Sequence, residues 1–320
     1  MALSLQDKAQ FYQKLATGLK AGLTLPQIID AQLLPATMAS RNVILKQQVD
    51  KGAAFSKAFQ QAGLVSNWEA RLIHVGEASG TLESVFARLD NFFSGKVLQL
   101  SHIKSKLVYP MLTVLVALVV LPLPAVFASV MTVTGYGFQV LVGVAILVLL
   151  YRTLILKPFA NATMGAFNPL LLKSLRFVSD SHFLRLQFEV AYMDLLTLCL
   201  ASGMDAVQSM KLLQDNFSQR TMKKRHAFAI SKVEKGDSSL SDALGGQDIL
   251  RHPQVLSFLA ASEASGTIHS ELREFLVRKR QEVEETTDYW IRRVGAVVYV
   301  ATAGYAVLKI VPLFMSTLIP

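Results

Sequence analysis

The chain has 320 residues, a net charge of +9, 52% apolar residues and a mean hydropathy of +0.39. That length suits two or three domains, and the hydropathy exceeds that of an ordinary soluble protein, so membrane spans are expected. The single cysteine, Cys199, excludes an internal disulfide framework and a multi-cysteine metal site.

The chain opens with MALSLQDKAQFYQK, which reads as amphipathic and lacks the continuous apolar core of a cleavable signal. In AGLTLPQ, Gly22 suits a helix stop and Thr24 with Gln27 forms a capping-box pattern for the next helix. Lys51-Gly52 marks a further helix end. In GEASGTLESV, Gly80 can stop one helix and Thr81 can cap the next, on which Leu82, Phe86, Leu89 and Phe93 fall at helical spacing.

Residues 107–130 carry no charge and form the first candidate span, which Pro110, Pro122 and Pro124 are expected to kink. A short link at 131–137 leads to a second candidate, 138–156, in which Arg152 must snorkel. Beyond it, 158–182 reads either as a basic amphipathic helix on the bilayer surface or as a segment packed on the helical module next to it in the chain. Phe188, Tyr192, Leu195 and Cys199 then share an apolar helical face, so Cys199 is read as core rather than as a reactive thiol. A charged helix from Ile268 to Arg293, with Glu274 and Arg278 at i,i+4, leads into a third candidate span, 294–315. Lys309 near its end is read as snorkelling, with a functional intramembrane charge as the sharper alternative.

Of the 32 Lys and Arg residues, 12 precede residue 107, 19 lie within 152–293, and none falls in 131–137. Both large segments are therefore expected in the cytoplasm, with a transmembrane hairpin between them and the C-terminus outside. The expected division is a first module at 1–106, a hairpin at 107–157, a linker and second module at 158–293, and a third span with a short external tail at 294–320. This placement accounts for the basic excess without nucleic acid, since the cations are dispersed among acids and lack interleaved aromatics.

The chain also repeats itself. CLASGMDAVQ matches GLKAGLTLPQ, so Gly203 falls on Gly22 and Asp205 on Thr24; KGDSSLSDAL matches KGAAFSKAF; SEASGTIHSE matches GEASGTLESV. The repeat implies two copies of a helical module of roughly 90 to 100 residues. Gly266 and Thr267 take the places of Gly80 and Thr81. Glu77 and Glu263 fall in the last turn of a helix, where a negative charge opposes the dipole. Each needs a partner, which is either a nearby Arg or Lys, a backbone N–H at the following helix start, another protein or a bound cation.

Catalytic signals are missing. No P-loop is written, no H-E-x-x-H appears, the six histidines lack ligand spacing, and GEASG has Ala where a nucleophile elbow needs Ser. A non-enzymatic role without cofactor or metal is expected. The rival from another class is a small oligomeric transporter or channel, against which stands the near absence of ionisable residues in the spans.

The duplicated motifs, the span order and KSKLVYP at residues 104–110 together resemble the type II secretion system F-protein domain family, over nearly the whole chain. The second copy departs from the first in having Ser262 where the first has Gly76, and the entry to the third span lacks a glutamate-proline. The resemblance implies an all-α membrane protein with two cytoplasmic antiparallel bundles of about six helices each and three transmembrane helices. It further implies an inner-membrane platform that meets a hexameric secretion ATPase, pilin or pseudopilin subunits, other inner-membrane assembly proteins and further copies of itself. Pilus, secretion and competence machines all fit that implication.

Overall fold

The computed structural model describes residues 3–31, 39–127, 132–150, 182–215, 217, 220–265 and 268–318. All regular structure among them is helical. The elements are α1 (Leu5–Lys20), α2 (Leu25–Asp30), α3 (Ala39–Asp50), α4 (Phe55–Gln61), α5 (Asn67–Ala78), α6 (Leu82–Val120), α7 (Leu123–Phe127) and α8 (Val133–Leu150). Beyond residue 181 come α9 (His182–Ala201), α10 (Ala206–Gln214), α11 (Arg220–Glu234), α12 (Leu240–Gly246), α13 (Pro253–Ser265) and α14 (Ile268–Leu318). The order of α1–α6 returns in α9–α14: a long helix, a short one, a longer one, a seven-residue helix, a helix ending in the shared pentapeptide, and a very long helix.

The chain forms two compact units. One comprises Met1–Leu98 with Ala162–Val283, so both sequence copies lie in it; the other comprises Gln99–Asn161 with Glu284–Pro320.

In the first unit the helix stops share one design. Gly22, Gly80 and Gly203 have φ of +80°, +71° and +91°. Each sits just past a helix, and the backbone closes in a Schellman pattern. Behind Gly80, the Thr81 N–H reaches the Gly76 carbonyl at 2.8 Å; behind Gly203, the Met204 N–H reaches the Cys199 carbonyl at 3.2 Å. A side chain at such a φ strains against the backbone even though the space beside Gly80 is open. The next helix is then capped. Thr24 donates its N–H to Gln27 Oε1 at 2.9 Å, and Asp205 accepts the Gln208 N–H at 2.7 Å. Asp248 is the non-glycine counterpart, at φ +59°. Its carboxylate is held by Arg251 and Arg225.

The apolar stripes read from the sequence point inward. In the first copy Phe11, Tyr12, Phe59, Phe86 and Phe93 are fully buried, with Tyr12 stacked on Phe93 at 5.3 Å and Phe11 edge-on to Phe59 at 5.5 Å. Each such ring contributes on the order of 2–3 kcal/mol of burial free energy. In the second copy Tyr192, Leu195 and Cys199 are buried along one face of α9 and Phe188 is packed against that core. Burial pushes the Cys199 thiol up to about 12, so it stays protonated and inert. Tyr192 shares a 2.8 Å hydrogen bond with Nε2 of the fully buried His226, whose Nδ1 has no partner among the described residues. Burial lowers His226 to about 4, so the ring is neutral in the fold.

The second unit differs from expectation at two points. α6 runs unbroken through Pro110 and ends at Val120; Leu121-Pro122 form a turn, and the chain resumes as the short α7. The expected kinked helix through 130 is thus interrupted near Pro122, because proline offers no N–H to the preceding turn and disfavours helical geometry in the residue before it. α8 begins at Val133, five residues earlier than the expected 138, because Thr132 Oγ1 accepts the Gly135 N–H at 3.2 Å and caps the helix. Gly143 of α8 lies where a Cβ would meet Leu118 of α6 at 2.5 Å, so its lack of a side chain sets how closely these helices approach. α6 is long and apolar enough to cross a membrane, and none of its apolar window is buried in the protein; α8 contains a shorter apolar stretch, Val133–Leu149. Residues 128–131, 151–181, 266–267 and the side chains of Glu274 and Lys309 lie outside the described residues, and with them the readings made for the 158–182 segment, the Gly266-Thr267 stop and cap, the Glu274–Arg278 pair and Lys309.

Two expected outcomes test this packing. Gly80→Val should destabilise the full-length protein by about 1–3 kcal/mol, whereas Gly95→Ala, on the exposed side of α6 with open space around it, should be neutral or stabilise by up to about 1 kcal/mol; denaturant midpoints in detergent measure both. The unfolded-state pKa of His226 lies above its folded value, so the unfolded chain binds the extra proton. Stability from this group should be complete above pH 6.5 and fall as the pH drops from 6.5 towards 4, by up to about 3 kcal/mol. His226→Gln should flatten that part of the profile.

Candidate functional site

Glu77 and Glu263 stand near the C-terminal ends of α5 and α13, where a carboxylate gains nothing from its own helix. Each reaches across to the N-terminus of another. Glu77 accepts the Phe55 N–H at 2.8 Å, the Ser56 N–H at 3.4 Å and the Ser56 hydroxyl at 3.2 Å. Glu263 accepts the Leu240 N–H at 2.7 Å, the Ser241 N–H at 3.3 Å and the Ser241 hydroxyl at 3.3 Å. The two arrangements agree atom for atom. The partners are neither Arg nor Lys, and they belong to the helix before the glutamate (α4, α12), not to the one after it. The charge faces the positive end of that dipole and satisfies N–H groups that have no intrahelical acceptor. Within the EASGT motif, therefore, the glutamate closes α4 or α12 onto its neighbour. In the first copy Gly80 then turns the chain, and the Thr81 and Ser79 hydroxyls meet at 2.8 Å.

The preceding residue differs between copies for a steric reason in the first and a polar one in the second. A Cβ on Gly76 would lie 2.6 Å from Val85 Cγ2, so α5 and α6 touch there. Ser262 is buried and returns its hydroxyl to the Leu259 carbonyl at 2.8 Å.

Three further buried acids were not singled out from the sequence. Glu69 is fully enclosed and takes bonds from the Lys8 ammonium, the Tyr12 hydroxyl at 2.6 Å and the Ser66 hydroxyl. Burial and the Glu69 charge raise Tyr12 well above the ordinary phenol range, so it remains a donor. Glu189 accepts the Arg251 and His252 N–H groups at 2.9 and 3.0 Å, directly before α13. Asp194 binds Arg280 of α14 through both oxygens. Lys96 of α6 lies in the field of these two, and burial outweighs the attraction of Asp194 to lower its pKa, with Arg280 adding to the effect. The available signal was an acid on an apolar stripe: Glu189 shares its face with Met193, Leu196 and Leu200, all buried.

In the second unit the polar groups collect where the charge-free stretches begin. Asp288 of α14 is bonded by Lys106 of α6, with His102 Nε2 at 3.3 Å, and the Lys106 ammonium beside it holds its carboxyl below the usual range. Pro110 lies one turn beyond Lys106 and Gly295 two turns beyond Asp288, and a Cβ on Gly295 would stand 3.8 Å from Pro110 Cγ. No cluster of metal-ligating side chains occurs among the described residues.

The sequence matches the family model for type II secretion system protein F over residues 11–130 and 192–320. It is 26% identical to a type IV pilus assembly protein PilC of Thermus thermophilus, over 88% of this chain and 74% of that protein. It is 24% identical to a type II secretion system protein F of Vibrio cholerae, over 99% of this chain and 82% of that protein. A type 4 fimbrial assembly protein PilC of Pseudomonas putida matches at 31%, over 35% of this chain and 29% of its own length.

If each glutamate acts as a cap for another helix, Glu77→Ala and Glu263→Ala should destabilise by similar amounts, about 1–3 kcal/mol each, and Glu77→Gln by less. Chemical denaturation of the full-length protein measures this. A wild-type midpoint for both alanine variants would remove the capping role.

Proposed function

Because the chain belongs to the type II secretion system protein F family, we propose that it is an inner-membrane platform protein of a pilus-type or secretion-type assembly machine. It generates no force itself. Its helical bundles receive motion from a cytoplasmic hexameric ATPase, and its membrane helices pass that motion to pilin or pseudopilin subunits entering or leaving the bilayer. The proposed topology has residues 1–106 and 158–293 in the cytoplasm, spans at 107–130, 138–156 and 294–315, and the C-terminus outside. Further copies of the chain and other inner-membrane proteins complete the platform.

The observation that carries this reading is the continuity of α6. One helix of 39 residues holds Phe86, Leu89 and Phe93 in the core of the first copy and continues, without a break, into the charge-free stretch from Leu107. In this reading the helix couples the two parts of the chain, its backbone hydrogen bonds tying turn to turn except at Pro110, which has no N–H to give. Displacement of the bundle is thus carried into the apolar segment. α14, at 51 residues, has the same design in the second copy.

Detergent-solubilised protein should retain a secretion ATPase of its own machine, and a reporter fused at the C-terminus should be active outside the cytoplasm. Ion conduction by the protein alone in liposomes, with no ATPase retained, would favour the channel reading; a cytoplasmic C-terminus would overturn the topology.

A further inference from the structure

The second unit contains a cavity of about 500 Å³ between α6 and α14. Its walls are Tyr109, Pro110, Gly295 and Tyr299, with the charged groups Lys106, Asp288 and Arg292 at one side. The two phenol rings stand 6.4 Å apart. The charges do not cancel. Asp288 is occupied by Lys106 and His102, whereas Arg292 makes no hydrogen bond or ion pair among the described residues and is exposed. The cavity therefore presents one unneutralised guanidinium beside an apolar slot.

Its position gives the ligand class. Lys106 directly precedes the charge-free stretch that starts at Leu107, and Arg292 with Arg293 ends the charged part of α14 just before 294–308, which is also charge-free. Arg293 is engaged elsewhere, over the Tyr289 ring at 4.5 Å. A cation at such a boundary, with tyrosines beside it, meets lipid headgroups. We propose that this cavity binds an acidic phospholipid, with the phosphodiester on Arg292 and the first carbons of an acyl chain lying in the slot against the paired rings of Tyr109 and Tyr299. Guanidinium matches phosphate oxygens in a bidentate fork. Gly295 leaves room for the lipid, because any longer side chain there would project into the slot. The inference rests on the membrane topology proposed for the chain.

The test uses the full-length protein in a neutral detergent, with the thermal midpoint tracked as lipid is titrated; a ligand that binds only the folded state raises that midpoint. Phosphatidylglycerol should raise it, and phosphatidylcholine or inorganic phosphate alone should not. Arg292→Gln should weaken the effect about tenfold, Arg292→Lys should retain part of it, and Gly295→Leu, which fills the slot and leaves every charge in place, should abolish it. Arg293→Gln removes the same charge one residue away and should respond as wild type. Equal shifts with phosphatidylcholine, a full response in Arg292→Gln, or loss in Arg293→Gln equal to that in Arg292→Gln would each overturn the site. Should Arg292→Gln fail to fold, Gly295→Leu and Arg292→Lys decide. A wild-type protein that sits in the membrane fraction but shows no lipid selectivity refutes only this site; one absent from the membrane fraction refutes the membrane reading itself.

Discussion

A helix end is electrically incomplete, and in this protein a carboxylate from another helix completes it. Glu77 lies on the start of α4, Glu263 on the start of α12 and Glu189 on the approach to α13. α4 and α12 have seven residues each. Helices that short do not persist alone in water, since nucleation outweighs the few hydrogen bonds they form. Their persistence requires packing on one side and a cap at the exposed N–H groups. A single glutamate from the neighbouring helix supplies the cap and fixes the mutual placement of the two.

That arrangement sets limits on the polar chemistry of the core. A buried carboxylate is costly unless each oxygen is bonded. Glu69 meets the requirement with Lys8, Tyr12 and Ser66, Asp194 with Arg280. His226 solves the problem in the opposite way, by staying neutral. Such networks are specific in geometry: shifting α1 along its axis by one turn would strip Glu69 of two donors at once.

The two long helices, α6 and α14, run on into the apolar part of the chain. Where α6 and α14 lose their charges, Lys106 and Asp288 neutralise one another, His102 lies against Asp288, and Arg292 is left over. A small residue, Gly143, sets the approach of α8 to α6 in this region. Close approach stands in for hydrophobic driving force where the surroundings are themselves apolar.

What the sequence determined by itself is local in origin. The repeated Gly-stop and cap pattern, the helical stripes of Phe86, Leu89 and Phe93 or Tyr192, Leu195 and Cys199, and the charge-free stretches each depend on residues within one or two turns, so their physics is complete in a short window. The length of α6 and the helix start at Val133 were less legible, because proline tolerance and a threonine cap decide them by small margins. Only the tertiary structure decided which donors answer Glu77, Glu263, Glu69 and Glu189. A buried charge advertises that a partner exists, but the partner lies elsewhere in the chain, 22 residues away for Glu77 and 62 for Glu189. The same holds for the cavity at Arg292, which exists because two helices distant in sequence bring a proline and a glycine face to face.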